Sequence, residues 1–258
     1  MQIDFYKYQG TGNDFVVIDD RMHQFDVTDE EKIRAICNRR KGIGADGLLL
    51  LRNHEDADFE MLYFNSDGKQ GSMCGNGGRC LVDFAHLLGI IEDNCTFFAK
   101  DGFHEAKWTK EWVELKMIDV FEVEVNDDFV YLDTGSPHFV KFVNDLENYP
   151  VFEQGSSIRY NERFKLNGTN VNFVEIQGTE FKVRTYERGV EDETLACGTG
   201  VTAVAIAAHA SNKKINNPLL VSTLGGTLKV LFEDIGGVYK NVWLVGPAKL
   251  VYKGSMKC

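Results

Sequence analysis

The chain has no apolar run of the roughly 18–20 residues that a membrane-crossing helix requires, so no membrane span is expected. Its first residues, Met1 to Tyr8, alternate like a strand and lack the charged-then-apolar order of a secretion signal. A cytoplasmic protein is the resulting expectation. Basic runs are missing too: 28 Lys and Arg stand against 39 Asp and Glu, a net charge of −11. That balance argues against nucleic acid or an anionic membrane as partner and leaves a small molecule. Among the six cysteines there is no C-x-x-C and no second pair at zinc spacing, so a structural metal is not expected. The glycine-rich stretches lack both the GK[ST] ending of a phosphate loop and the G-x-G-x-x-G spacing of a dinucleotide fold. No lysine stands in a recognisable pyridoxal-phosphate context, and no cofactor is expected.

What the chain does carry is a repeated phrase. Met73-Cys74-Gly75-Asn76-Gly77-Gly78-Arg79 and Ala196-Cys197-Gly198-Thr199-Gly200 each place a cysteine directly before Gly-x-Gly and a helix-like run. Cys74 and Cys197 are 123 positions apart, as are Gly12 and Gly135 in Gly12-Asn13-Asp14-Phe15 and Gly135-Ser136-Pro137-His138. Phe59–Asn65 matches Phe181–Glu187 at an offset of 122, and Gly44–Leu49 matches Gly168–Phe173 at 124. Four pairs in one order at nearly one offset describe two similar halves of about 120 residues. The expected halves are residues 1–120, carrying Cys74, and 121–258, carrying Cys197, with the terminal strand 249–258 a candidate to pack onto the first. At 258 residues, 43% hydrophobic and 26% charged, the chain is long enough for two modest cores.

Strands are predicted at Ile3–Tyr8, Phe15–Asp19, Leu48–Leu51, Phe59–Phe64, Thr96–Ala99, Phe103–Trp108 and Val113–Lys116. Asp29–Arg39 has helical spacing, with Thr28 or Asp29 as N-cap, and Cys74–Leu88 is the first long helix. Phe121–Val125 and Phe129–Leu132 flank a turn at Asn126-Asp127-Asp128. Further strands are expected at Val171–Ile176, Phe181–Thr185, Leu219–Ser222, Thr227–Phe232, Val242–Val245 and Lys249–Tyr252. Gly198–Ser211 is the second long helix. From Val201 to Ala208 it is apolar on nearly every face, the mark of a helix buried all round. The fold class is α+β: two pseudo-symmetric halves, each a mixed sheet or barrel of short strands wrapped around a central helix. Cys37, Cys80 and Cys95 read as core thiols; Cys258, at the end, carries no reading.

A cysteine at a helix N-terminus meets backbone N–H groups and the positive end of the helix dipole, which favour the thiolate. Two such cysteines in matching contexts suit a reaction that needs a base and a conjugate acid of one kind. Inverting a carbon centre is such a reaction: one group removes the proton from one face and the other returns a proton to the opposite face. The Gly75-Asn76 and Gly198-Thr199 amides can hold a carboxylate whose charge grows as the carbanion forms. A cysteine hydrolase would pair one cysteine with His138 and leave the second unexplained. A thiol redox protein, cycling through a Cys74–Cys197 disulfide, is the reading from another class. His138, in a loop aligned with Asn13-Asp14, and Glu187-Arg188, ending the strand before Cys197, are further candidates.

Gly10-Thr11-Gly12-Asn13-Asp14-Phe15, Phe64-Asn65-Ser66-Asp67-Gly68 and Met73 to Cys80, with Tyr186-Glu187-Arg188-Gly189 and Glu193 to Gly200, resemble the diaminopimelate epimerase family over almost the whole chain. The resemblance implies a cofactor-independent isomerase that interconverts LL- and meso-2,6-diaminopimelate in lysine and peptidoglycan synthesis. It makes Cys74 and Cys197 the acid/base pair. It has Asn13, Asn65, Asn170, Glu187 and Arg188 hold the substrate, with Gly75, Asn76, Gly198 and Thr199 on the reacting carboxylate. His138 and Glu187 match positions that tune the cysteines' protonation. Ser136 stands where many members have Asn, and Gly47 where some have Gln. The alternative within the same fold is a proline or hydroxyproline racemase-like enzyme or a phenazine-type isomerase. The partner implied is a small-molecule substrate, with no nucleic acid and no membrane, and a homodimer is compatible.

Overall fold

The computed structural model describes residues 2–213 and 215–257. Met1, Lys214 and Cys258 lie outside the described residues. Two compact units make up the chain: Met1–Leu115 with Gly246–Cys258, and Lys116–Val245.

In chain order the first unit runs β1 (Gln2–Gly10), β2 (Asn13–Asp19), α1 (Glu30–Cys37), β3 (Gly47–Arg52), β4 (Phe59–Asn65) and α2 (Gly75–Leu87). It continues with β5 (Asn94–Ala99), β6 (Gly102–Trp108) and β7 (Val113–Lys116). The second unit runs β8 (Val123–Val125), β9 (Val130–Asp133), β10 (Pro137–Phe142), α3 (Val151–Arg159), β11 (Asn170–Gln177), β12 (Glu180–Glu187) and β13 (Asp192–Thr194). After it come α4 (Gly198–Ala210), β14 (Leu219–Thr223), β15 (Gly226–Ile235) and β16 (Val238–Gly246). Strand β17 (Lys249–Lys257) returns to the first unit and pairs antiparallel with β1.

The repeat read from the sequence is a repeat of topology. In the first unit the strands follow the order β17-β1-β2-β3-β4-β5-β6-β7, parallel at β2–β3 and β4–β5 and antiparallel elsewhere. In the second unit the order is β8-β9-β10-β11-β12-β14-β15-β16, parallel at β10–β11 and β12–β14 and antiparallel elsewhere. The two sequences of pairings are identical, with β13 added on β12 in the second. Each parallel step needs a crossover. The helices α1, α2, α3 and α4 supply these at equivalent places.

Each unit wraps its strands around one helix. Helix α2 packs against β1, β2, β3, β4, β6 and β17, and buries Asn76 to Val82 together with Phe84 and Ala85. Helix α4 packs against seven strands of its unit, and every residue from Gly200 to Ala208 is buried. The Leu48–Leu51 run is wholly buried because both of its faces are covered. Leu48 and Leu50 meet Ile33 and Ile36 of α1 in one cluster, while Leu49 turns toward Gly77 of α2. Asp29 caps α1 by accepting from the Lys32 N–H at 2.9 Å.

Three elements differ from the sequence expectation. Pro137 and His138 do not lie in a loop but open β10, and Asn13-Asp14 opens β2. Pro137 is tolerated because a strand's first residue can spare its N–H. Helix α3 was not expected, since Phe152, Ser156 and Gly155 give a weak helical stripe; its buried residues are Val151 and Gly155. Strand β13 intervenes between Glu187 and Cys197, so the strand ending at Glu187 does not lead directly to the cysteine.

Candidate functional site

Each signature cysteine is the N-cap of its central helix. Cys74 has φ −109° and ψ 121°, and Cys197 has φ −118° and ψ 114°. Extended backbone ends there and the helix begins one residue later, where the first N–H groups have no intrahelical partner. Cys74 is half-buried and Cys197 is buried. The thiols of Cys37, Cys80 and Cys95 are pushed up by burial, to about 11 for Cys37 and about 12 for Cys95, which keeps them inert.

In the first unit the structure brings Cys74, Asn76 and Asn13 together. Cys74 Sγ lies 3.7 Å from Asn13 Oδ1, which also accepts from Asn76 Nδ2 at 3.4 Å. Asn13 Nδ2 donates to Asp46 at 2.7 Å. Arg79 is fully buried one turn into α2. It donates to Asn76 Oδ1 and Thr11 Oγ1 at 2.9 Å each, and to the Gly75 carbonyl at 3.3 Å. Burial pulls its pKa down, but a guanidinium stays charged, and among the described residues no carboxylate pairs with it. Asn65 ends β4, exposed, and accepts from the Tyr63 hydroxyl at 2.8 Å.

In the second unit Cys197 Sγ lies 3.4 Å from the Thr199 hydroxyl, and Thr134 Oγ1 donates to the Thr199 carbonyl at 2.9 Å. Thr11 holds the matching position in the first unit, 3.4 Å from Asn76 Oδ1. A second group forms around Arg188. Its backbone N–H donates to Asn170 Oδ1 at 2.9 Å and its Nη2 to Ser136 Oγ at 3.3 Å, while Asn170 Nδ2 donates to Ser136 Oγ at 2.8 Å. Asn170 is buried and spends its amide on these partners and on the Pro137 carbonyl. It therefore orients Arg188 and Ser136. Glu187 accepts from Thr194 Oγ1 at 2.8 Å, and burial raises its carboxyl pKa despite that hydrogen bond.

His138 is completely buried. Burial first, and then the Arg188 charge, push its pKa down to about 3, so the ring is neutral. Asn172 Nδ2 meets His138 Nδ1 at 3.1 Å, which leaves the proton on Nε2. Asn172 Oδ1 accepts from Thr185 at 3.0 Å. A Cβ on Gly200 would stand 2.6 Å from that oxygen and 3.4 Å from Cys197 Sγ, so Asn172 packs directly under the Cys197 turn and links it to His138. Only glycine permits this approach. Among the described residues no group of three or more His, Cys, Asp or Glu could hold a metal ion.

The sequence expectations give no role to Asp46, Arg79 or Asn172. Arg79 stood inside the repeated phrase, ahead of the apolar Cys80-Leu81-Val82, where a charge must be buried for a reason. Asn172 shares a strand face with Asn170 by the period of two. Asp46 precedes β3 with no pattern to mark it.

A sequence profile of the diaminopimelate epimerase family matches residues 5–120 and 130–251. The chain belongs to the diaminopimelate epimerase family. It is 49% identical to the diaminopimelate epimerase of Flavobacterium psychrophilum over 253 residues, covering 97% of this chain and 99% of that one. It is 45% identical to that of Chlorobaculum tepidum, covering 96% and 98%. Family members are isomerases. Solved structures share the fold: a Bacillus anthracis phenazine biosynthesis protein of the PhzF family superposes with a TM-score of 0.80 at 13% identity, covering both chains completely. A hydroxyproline epimerase from Agrobacterium vitis does so at 0.71 and 14%, covering 98% of this chain and 92% of that one. No described helix is long and apolar enough to cross a membrane.

Proposed function

We propose that this chain interconverts LL- and meso-2,6-diaminopimelate by a two-base proton transfer in which Cys74 and Cys197 are the acid/base pair. The observation that carries the reading is their equivalence: each is the N-cap of the central helix of its unit, before the same Gly-x-Gly. One thiolate removes the α-proton from one face, and the other thiol delivers a proton to the opposite face. The Gly75, Asn76, Gly198 and Thr199 amides hold the reacting carboxylate as its charge grows. Arg188, oriented by Asn170 and Ser136, offers a planar fork to the distal carboxylate. Asn13, Asn65 and Glu187 complete the substrate's hydrogen bonds, Asn170 contributes to binding through Arg188 and Ser136, and neutral His138 with Glu187 tunes the cysteines. No cofactor takes part. The chain acts in the cytoplasm on this small molecule, binds neither nucleic acid nor membrane, and is compatible with a homodimer.

The test is conversion of LL-diaminopimelate by purified protein, followed by separation of the isomers, in the presence of EDTA and hydroxylamine. The expected result is full conversion to the LL/meso equilibrium, lost in both Cys74→Ala and Cys197→Ala. Turnover of proline instead, indifferent to Arg188→Lys, would move the assignment to the racemase-like alternative. A thioredoxin-exchangeable Cys74–Cys197 disulfide without epimerisation would move it to redox chemistry.

A further inference from the structure

The two amides nearest Cys74 are strung between a cation and an anion. Arg79 Nη2 donates to Asn76 Oδ1 at 2.9 Å, Asn76 Nδ2 to Asn13 Oδ1 at 3.4 Å, and Asn13 Nδ2 to Asp46 Oδ2 at 2.7 Å. A guanidinium has only donors and a carboxylate only acceptors, so each end independently fixes which way its amide faces. Both ends give the same polarity. The consequence falls on Cys74, whose Sγ meets the carbonyl oxygen of Asn13 at 3.7 Å. That oxygen accepts from S–H and offers nothing to a thiolate.

Asp46 is itself held from behind. Arg39 Nη2 donates to Asp46 Oδ1 at 2.8 Å and forks Asp14 at 3.0 and 2.6 Å. The buried Lys7 pairs with Asp14 at 2.6 Å, and the Asp14 N–H donates to Asp46 Oδ2 at 3.2 Å. Among the described residues of the second unit no such cation-to-anion chain stands at the matching positions. The strand pairings Phe15–Gly47 and His138–Asn170 set the structural offset there at 123, so Asn13, Asp46, Asn76 and Arg79 correspond to Ser136, Thr169, Thr199 and Thr202. Cys197 meets the Thr199 hydroxyl, which can donate to a thiolate.

We propose that Asp46 is a positioning residue that acts through Asn13 to hold the proton on Cys74, so that Cys74 rests as the thiol and Cys197 as the thiolate of the pair. The α2 N-terminus and the Arg79 charge favour the Cys74 thiolate. Asn13 opposes them, and the asymmetry between the units decides which cysteine starts with the proton. When Cys74 gives that proton to the carbanion it becomes the thiolate, and Cys197, having taken the substrate's proton, becomes the thiol. The inference rests on the function proposed above, but its test reads no turnover, so the two can fail separately.

The test is the pH dependence of iodoacetamide alkylation at Cys74, mapped by peptide mass, in wild type, Asn13→Ala, Asp46→Asn and the double variant. The groups facing the site are Lys7, Asp14, Arg39, Asp46, Arg79 and Cys80, and only Asp46 and Asn13 are changed. In Asp46→Asn a neutral carboxamide replaces the carboxylate that pins Asn13 Nδ2, which weakens that hold and lets the Asn13 amide turn its N–H to a Cys74 thiolate. The alkylation midpoint is expected to fall by roughly half to one pH unit, the worth of one hydrogen bond. Asn13→Ala is expected to lower it as well, and Asp46→Asn to add nothing in that background. An unchanged midpoint in folded Asp46→Asn overturns the proposal. So does an equal shift with and without Asn13, which would mean that the Asp46 charge acts directly. Should Asp46→Asn not fold, Asn13→Ala decides alone: a lowered midpoint supports the proposal and an unchanged one refutes it.

Discussion

Gly77 and Gly200 hold the same place in the two central helices, yet their surroundings predict opposite responses to alanine. Gly→Ala inside a helix ordinarily gains about 0.5–1 kcal/mol. At Gly200 the new methyl would stand 2.6 Å from Asn172 Oδ1, a distance real Cβ atoms do not tolerate. Asn172 cannot swing away cheaply. It is fully buried and tied to Thr185, His138 and the Phe139 carbonyl. Overpacking costs about 1–3 kcal/mol, and leaving the Thr185 hydroxyl unpaired adds about 1–3 kcal/mol. The net for Gly200→Ala is a loss of about 1–5 kcal/mol, and a Tm lower by roughly 2–20 °C at this chain length. At Gly77 the methyl would meet Leu49 Cδ2 at 3.2 Å and Met61 Cε at 3.4 Å, the far ends of flexible side chains. Gly77→Ala is expected within about 1 kcal/mol of wild type. Thermal unfolding of both variants side by side is the assay. A Gly200→Ala protein as stable as wild type, or a larger loss at Gly77, would refute the packing assigned to Asn172.

Burial opposes ionisation of Asp14, but the hydrogen bonds from Arg39 and Lys7 hold its carboxyl well below the usual carboxylate range. Its stabilisation is therefore complete above the unfolded value of about 4 and is lost as pH falls below it. Asp14→Asn is expected to cost about 2–4 kcal/mol at pH 7, chiefly by stranding the buried Lys7, and the difference from wild type should shrink in acid. Urea unfolding at pH 7 and pH 3 checks this, and a gap that widens in acid contradicts it. His138, with its pKa pushed down to about 3, should show ring proton shifts in NMR that stay constant from pH 5 to 8; a titration near 6.5 would contradict its burial. Arg188→Lys keeps the charge but loses the fork, and should raise KM for diaminopimelate about tenfold or more with a smaller effect on kcat. An unchanged KM would remove Arg188 from the substrate site.

The matched places of Cys74 and Cys197 are legible because the two halves repeat. Cys74 and Cys197 fall at helix N-caps, as the Gly-x-Gly that follows each one demands, and the apolar Val201–Ala208 run is buried on every face. Helix α3 was missed although the same repeat points to it: moved by the offset of 123, α1 falls within two residues of α3. Its local pattern is weak because Gly155 packs against the Tyr186 ring, where a larger side chain has no room. Pro137 makes His138 look like loop in the sequence. The strand survives since Pro137 pairs with Asp133 at its very end. Asp46 has no mark in the sequence, and Arg79 and Asn172 show a position there but not a role. The roles depend on long-range neighbours, Asn13 for Asp46, Thr11 for Arg79 and Thr185 for Asn172, and local spacing does not encode those pairings.

The measurement that tests the two-thiol account most directly is the early fate of the α-hydrogen in heavy water. LL-diaminopimelate is incubated with the protein and quenched after a few per cent conversion, and the separated isomers are analysed by mass and proton NMR. With two bases the abstracted proton stays on one cysteine while the other, already equilibrated with solvent, supplies deuterium from the opposite face. The meso product should carry one deuterium at the inverted carbon, and the recovered LL substrate should carry none. A single base working on both faces would return solvent deuterium to substrate and product alike, and comparable label in the two isomers would contradict the account.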